Sequence, residues 1–252
     1  MTTIMAHRGA RNLWAENSLA GFRNAAALNV EAIEFDLHLG ANGELLVIHD
    51  ATLERTTTGT GPVRLLTTDS RHDVKLIGPS GPINEGVPLL EEVLDLLAPA
   101  SNVRLFPEIK ADEIGLYDPA LLSTTVDMLR NYELASRTCL HSFDIQVLRE
   151  IAHIAPEFER MISVNAHWME KQGGIQNFFE SIKGLVNLVS VEHEFLTAEH
   201  AQITKLFPLD QISVWTVNTP ELLSYWLERG PRYIASDDAR LALTLQRTEA
   251  IA

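Results

Sequence analysis

Short β-type runs recur along this chain, each followed by a stretch that reads as helix, and this alternation limits the fold more than any other property of the sequence. The runs fall at 3–7, 32–37, 103–109, 138–142, 160–164, 185–191, 211–216 and 233–236. Helical patterning falls near 18–29, 88–98, 119–134, 144–155, 174–183, 197–206 and 219–228. Several helices carry start signals. Asn17-Ser18 can cap the first, Pro119 suits a first turn, and Thr219-Pro220-Glu221 supplies a cap, a first turn and an acidic N-terminus. Alternating strands and helices build parallel βαβ units, and eight strands so arranged match a (β/α)8 TIM barrel. A doubly wound open sheet is the alternative, but no Gly-rich phosphate fingerprint follows the first strand. The 252 residues are read as one catalytic barrel domain spanning 1–252.

Two features break the regularity. An extra β-type run at 44–49 follows the second strand, with Asn42-Gly43 between them. Asn-Gly favours a two-residue hairpin turn, because both central positions want φ > 0. Residue 41 then pairs with 44, and Asp36 lies opposite His49. The second feature is 51–87, rich in Thr, Gly and Pro ("TTTGTGPV", "GPSGPINEG"). It is read as a small capping insertion after the hairpin.

The hairpin has a chemical consequence. Glu34 and Asp36 are two apart on a strand and share a face. His49, opposite Asp36, would join them. His38 has the same parity but sits toward the turn, and is read as a rim residue. In "LFPEIK" (105–110), Glu108 and Lys110 also share a face at a strand end. His7-Arg8-Gly9 closes the first strand. Barrel strands converge at their C-terminal ends, so three carboxylates, two histidines and two cations should meet there.

Carboxylates so close raise one another's pKa unless a cation sits among them. An all-oxygen set favours a hard divalent ion, Mg²⁺ or Ca²⁺. Arg and Lys beside such an ion make a phosphate site, and two histidines there can serve as general base and general acid. This is equipment for cleaving a phosphodiester. His141, His153, His193 and His200 show no partner pattern and are read as surface or packing residues.

The charge balance excludes other classes. With 20 Lys+Arg against 34 Asp+Glu and a net charge of −14, no basic face for nucleic acid is expected. No apolar run approaches the roughly 20 residues of a membrane span, so no stable membrane insertion is expected either. A single cysteine, Cys139, precludes an intramolecular disulfide, and no signal-peptide pattern precedes His7. Both point to the cytoplasm.

His7-Arg8-Gly9, Glu16-Asn17-Ser18, Glu34-x-Asp36, His49-Asp50 with "LERTTTGTG", and Glu108-x-Lys110 together resemble the glycerophosphodiester phosphodiesterase family. The similarity continues through Ser142-Phe143 and "WTVN" (215–218). The last strand has Ser236-Asp237 where the family usually has Thr-Asp. The resemblance implies a (β/α)8 barrel that uses a divalent cation to hydrolyse a small-molecule glycerophosphodiester to an alcohol and sn-glycerol 3-phosphate. It also implies that His7 and His49 are the acid–base pair, and that Glu34, Asp36 and Glu108 hold the metal. Arg8 and Lys110 would contact phosphate, and Trp215 would wall the substrate pocket. Cleavage of a lysophospholipid or sugar phosphodiester, or binding without turnover, are the alternatives.

Overall fold

The computed structural model of the chain describes residues 2–249. Its strands are β1 (Thr3–His7), β2 (Ala32–Leu39), β3 (Leu45–Val47), β4 (Ile77–Gly78), β5 (Gly81–Pro82), β6 (Arg104–Ile109), β7 (Cys139–Ser142), β8 (Glu159–Val164), β9 (Leu188–Glu192), β10 (Ile212–Trp215) and β11 (Tyr233–Ser236). Its helices are α1 (Leu19–Ala27), α2 (Leu90–Leu97), α3 (Pro119–Asn131), α4 (Ile145–Ile154), α5 (Ala166–Lys171), α6 (Ile175–Ser181), α7 (His193–Ala198), α8 (His200–Leu206), α9 (Pro220–Arg229) and α10 (Ala239–Glu249). Strands β1, β2 and β6 to β11 pair in parallel with their neighbours, and β1 pairs with both β2 and β11, which closes the sheet. The architecture is the (β/α)8 TIM barrel expected from the alternation.

The helix starts follow local chemistry. Ser18 Oγ accepts from Gly21 N at 2.9 Å, Asp118 caps α3 ahead of Pro119, and Thr219 caps α9 ahead of Pro220. Helices α5 and α10 lie outside the expected stretches. The stretch expected at 197–206 is two short helices, α7 and α8, that meet at Glu199. Among the described residues, no helix is long and apolar enough to cross a membrane.

Strand alternation divides the core in two. Outward residues such as Ile33, Phe35, Ile162 and Val214 pack under the helices. Inward residues such as Met5, Phe106, Cys139, Met161 and Tyr233 form a separate apolar plug inside the barrel. Two residues further along the same strands stand His7, Glu108, His141 and Ser163. The plug therefore floors a polar mouth at the C-terminal ends, where barrel sites are built.

The hairpin differs from expectation. Leu37 pairs with Val47, His38 with Leu46 and Leu39 with Leu45, so Asp36 lies opposite Ile48, not His49. The loop has three residues. Gly40 N donates to Glu44 O at 2.7 Å and Gly43 N to Gly40 O at 3.2 Å. Gly43 alone takes a positive φ, 88°, while Asn42 does not, so the turn with two left-handed residues never forms. The insertion holds the wider loop: Ala41 N donates to Leu66 O, and the Glu44 carboxylate accepts from Asn42 N and Thr68 N. His49 still reaches the mouth, because β3 ends at Val47 and the chain bends after Ile48.

The 51–87 insertion contains the β4–β5 pair and packs on a small core that includes Leu46, Ile48, Leu53, Val63 and Leu76. It is clamped to the barrel. The Glu85 carboxylate accepts from the first amides of α1, Leu19 N and Ala20 N. Arg71 is buried and donates to Glu92 of α2 at 2.8 and 3.0 Å.

The apolar plug should carry much of the barrel's stability. Phe106 is fully buried and meets Tyr233 edge-on, with ring centroids 5.0 Å apart. Phe106→Ala is expected to cost about 3–5 kcal/mol in urea unfolding. An unchanged midpoint would contradict that role.

Candidate active site

Register brings the acids together. Asp36 on β2 pairs with Glu108 on β6, and Glu34 on β2 pairs with His7 on β1. All three carboxylates are buried. Lys110 lies between two of them, donating to Glu108 Oε1 at 3.0 Å and standing 3.3 Å from Asp36 Oδ1. Arg8 Nε is 3.4 Å from Asp36 Oδ2, and Asn17 Nδ2 donates to the same oxygen at 2.8 Å. Arg8 also donates its backbone amide to Glu34 Oε2 at 3.1 Å.

These contacts split the acids. Burial opposes the Asp36 charge, but Lys110, Arg8, His49 and the Asn17 hydrogen bond outweigh it and hold the carboxyl well below its usual range. Glu108 is also held low against burial, by Lys110 and then His141. Glu34 goes the other way, pushed well above its usual range by burial and then by the Asp36 charge. One acid of the three thus tends to keep its proton while the others are ionised.

The two expected histidines are held alike. His7 Nδ1 donates to Asp237 Oδ1 at 2.5 Å, and His49 Nδ1 donates to Asp50 Oδ1 at 2.6 Å. In each ring, Nε2 is the nitrogen left for chemistry, and both side chains line the same pocket as Glu34 and Glu108. Each carboxylate is itself fixed. Asp237 Oδ2 accepts from Asn218 Nδ2 at 2.8 Å and lies 2.9 Å from Arg11 Nε. Asp50 accepts from Arg55, which also donates to Glu16, and Glu16 accepts from Arg8. Burial lowers the pKa of His49 against the nearby Asp36 charge, which favours its neutral, proton-accepting form. Gly9 has φ 75°, and a Cβ there would meet the Phe22 ring at 3.0 Å, so the turn after His7-Arg8 needs glycine.

Every residue expected at the site is brought to this mouth. Trp215 lines the pocket and meets Phe143 edge-on at 5.8 Å. Two histidines differ from expectation. His38, expected at the rim, is buried and donates Nε2 to the His49 carbonyl at 3.0 Å. Its parity with Asp36 turns the ring inward under the bend after β3, where the hydrogen bond positions His49. His141, expected to be a surface or packing residue, stands inside the mouth beside Glu108. Its parity with Cys139 on the strand was the available signal. Asp237, Asn218, Asp50 and Arg55 were also missed as supports of the two histidines. Asp237 reaches His7 across 230 residues, whereas Asp50 and Arg55 lie within six residues of His49.

The donor set fits a divalent cation. Glu34, Glu108 and His141 each offer an atom, all within 4.8 Å of one another. Asp36 Oδ1 is buried without a hydrogen-bond partner, although the Lys110 ammonium faces it. Carboxylates this crowded require positive charge among them.

A barrel mouth with paired imidazoles, crowded carboxylates and two fixed cations belongs to the phosphoric diester hydrolases. Residues 7–241 match the Glycerophosphoryl diester phosphodiesterase family, and the chain belongs to it. The Glycerophosphodiester phosphodiesterase of Caldanaerobacter subterraneus subsp. tengcongensis is 27% identical over 98% of both chains. That of Bacillus altitudinis is 27% identical over 94% of this chain and 95% of its own. Among solved structures, a glycerophosphodiester phosphodiesterase from Parabacteroides distasonis superposes with a TM-score of 0.78 at 24% identity, covering 99% of this chain and 98% of its own. An Oleispira antarctica phosphodiesterase, solved with the product sn-glycerol-3-phosphate, gives 0.82 at 20% identity, covering 97% and 96%.

Lys110 is the principal counter-charge among these acids. Lys110→Met is expected to cost about 3–5 kcal/mol in urea unfolding with chelator present, because it leaves buried carboxylates uncompensated. Stability equal to the parent would show that the cluster does not need this cation.

Proposed function

We propose that this chain hydrolyses glycerophosphodiesters to an alcohol and sn-glycerol 3-phosphate, with a divalent cation and the His7–His49 pair as acid and base. The observation that carries the reading is the matched pair of imidazoles, each held at Nδ1 by a carboxylate, on one pocket with Glu34, Glu108 and Arg8, and with Asp36 and Lys110 packed beside those acids. The product found with the Oleispira antarctica structure supports the substrate class. Glu34, Asp36 and Glu108 would hold the cation, Mg²⁺ or Ca²⁺ by their oxygen chemistry. Bound there, the ion supplies Lewis-acid polarisation of a phosphoryl oxygen.

The remaining work falls to side chains. Arg8 and Lys110 neutralise the charge that builds on the phosphoryl oxygens. One histidine takes a proton at its Nε2 from the attacking hydroxyl, which is that of water or the glycerol hydroxyl beside the phosphate. As the new P–O bond forms and the ester P–O bond breaks, the other gives its proton to the departing alkoxide. Where the glycerol hydroxyl attacks, water then opens the cyclic ester in a second half with the two histidine roles reversed. Asp237 and Asp50 fix the tautomers and stabilise the cationic ring that forms in each half. Trp215 and Phe143 wall the pocket against the glycerol or the leaving alcohol. The buried Cys139 is in keeping with a reducing, cytoplasmic setting.

A second reading has one observation in its favour. Leu65, Ile114 and Leu116 stand exposed. They lie at the insertion and the β6–α3 loop, which an Arg64–Glu113 ion pair joins at 2.6 Å. An apolar rim there would suit an acylated leaving group, as in a lysophospholipid.

The test is release of glycerol 3-phosphate from glycerophosphodiesters with different alcohols and from a lysophospholipid, with Mg²⁺, Ca²⁺ or chelator. Cation-dependent release from the short-chain diesters is expected. Turnover of the lysophospholipid alone would favour the second reading, and no release at all would refute both. His7→Ala and His49→Ala should each lower kcat at least about a hundredfold; near-normal turnover in both would remove them from the acid–base roles. The raised Glu34 acid must lose its proton to bind an ion, so binding should release a proton and strengthen as pH rises. Calorimetry in buffers of different ionisation enthalpy reads this directly. Binding without proton release would contradict it.

A further inference from the structure

We propose that His141 Nδ1 is an additional donor to the divalent cation, making the site a mixed carboxylate–imidazole centre that favours Co²⁺ and Ni²⁺ over Mg²⁺ and Ca²⁺. The inference rests on the reading above that a cation occupies the acid cluster.

Four observations carry it. The β6–β7 register sets His141 directly beside Glu108, so both side chains enter the mouth at one level. The ring is buried, with 5% of its surface exposed. Its Nε2 is hydrogen-bonded to Ser163 Oγ on β8, which fixes the ring and, with the proton on Nε2, leaves the Nδ1 lone pair free. That Nδ1 has no hydrogen-bond partner, and a buried acceptor left unpaired costs about 1–3 kcal/mol. A purely structural histidine at this place would be expected to use both nitrogens.

Distances give the orphan its partner. Nδ1 lies 3.8 Å from Glu108 Oε2, beyond a hydrogen bond. Two ligands about 2.0–2.4 Å from a shared ion stand about 3–4.5 Å apart, and Nδ1 falls in that range from Glu108. A ring nitrogen of His141 also lies within 4.8 Å of the Glu34 and Glu108 donors. Ligating histidines commonly carry a hydrogen bond on the second ring nitrogen, which orients the ring; Ser163 has that position here. An imidazole nitrogen adds most to the affinity of borderline ions such as Co²⁺ and Ni²⁺, and least to that of Mg²⁺ and Ca²⁺.

The test is calorimetric binding of Co²⁺ and Ca²⁺ to the full, chelator-stripped chain and to its His141→Gln and Glu34→Gln variants, each first shown to keep a cooperative thermal transition. His141→Gln is expected to weaken Co²⁺ at least about tenfold while Ca²⁺ changes little. Glu34→Gln should weaken both ions. Proton NMR of the Co²⁺-loaded parent supplies a readout that needs no folded His141 variant. A paramagnetically shifted, exchangeable ring N–H signal is expected, retained in His7→Ala and His49→Ala. Equal Co²⁺ affinity in the parent and His141→Gln, or the absence of that signal, overturns the role of His141 and leaves the cation site standing. Failure of the parent to bind either ion removes the cation reading, and this proposal with it.

Discussion

Three carboxylates on two adjacent strands stand too close to be charged together without positive charge between them, and the mouth of this barrel is arranged around that fact. Glu34 and Asp36 follow one another on β2, and Glu108 faces Asp36 from β6. Lys110 and Arg8 supply fixed cations, and burial and then the Asp36 charge push Glu34 upward, toward the protonated form that avoids a third negative charge. On the proposed function, this cluster exchanges that proton for a metal ion, and the same two cations receive the phosphate.

The rest of the fold fixes the position of these charges. A period of two along each strand puts an apolar plug below the polar residues on the same inward face. Met5 lies beneath His7, Phe106 beneath Glu108, and Cys139 beneath His141. The plug keeps water from below, so interactions in the mouth act at low dielectric. The two proposed acid–base histidines come from opposite ends of the sequence logic, one at the tip of β1 and one beyond the hairpin. Each is nevertheless held by a carboxylate on Nδ1, and each carboxylate is bound in turn to an arginine. The insertion tightens this frame through Glu85 on α1 and Arg71 on α2.

Much of this was legible in the sequence, because it depends on local periodicity. The parity of Glu34-x-Asp36 and of Glu108-x-Lys110 needed only strand geometry, and the capping residues Ser18 and Thr219 marked their helices. The hairpin register was misread by one residue, because Asn42-Gly43 names a turn type but not the contacts that hold it. Leu66 and Thr68, far along the chain, bind the loop in its wider form. Supports such as Asp237 for His7 could not be read locally, since a separation of 230 residues carries no spacing signal. His141 was missed because its meaning comes from its neighbour Glu108 on the next strand, and that register appears only when the barrel closes.

The most direct measurement is anomalous diffraction from crystals soaked with Mn²⁺ and sn-glycerol 3-phosphate. The account requires a single strong peak bounded by Glu34, Asp36 and Glu108, with the phosphate against Arg8 and Lys110 and within reach of both His7 and His49. A peak elsewhere on this acidic protein, for example at Asp50 and Glu16 on the rim, or a phosphate bound away from the two histidines, would contradict it.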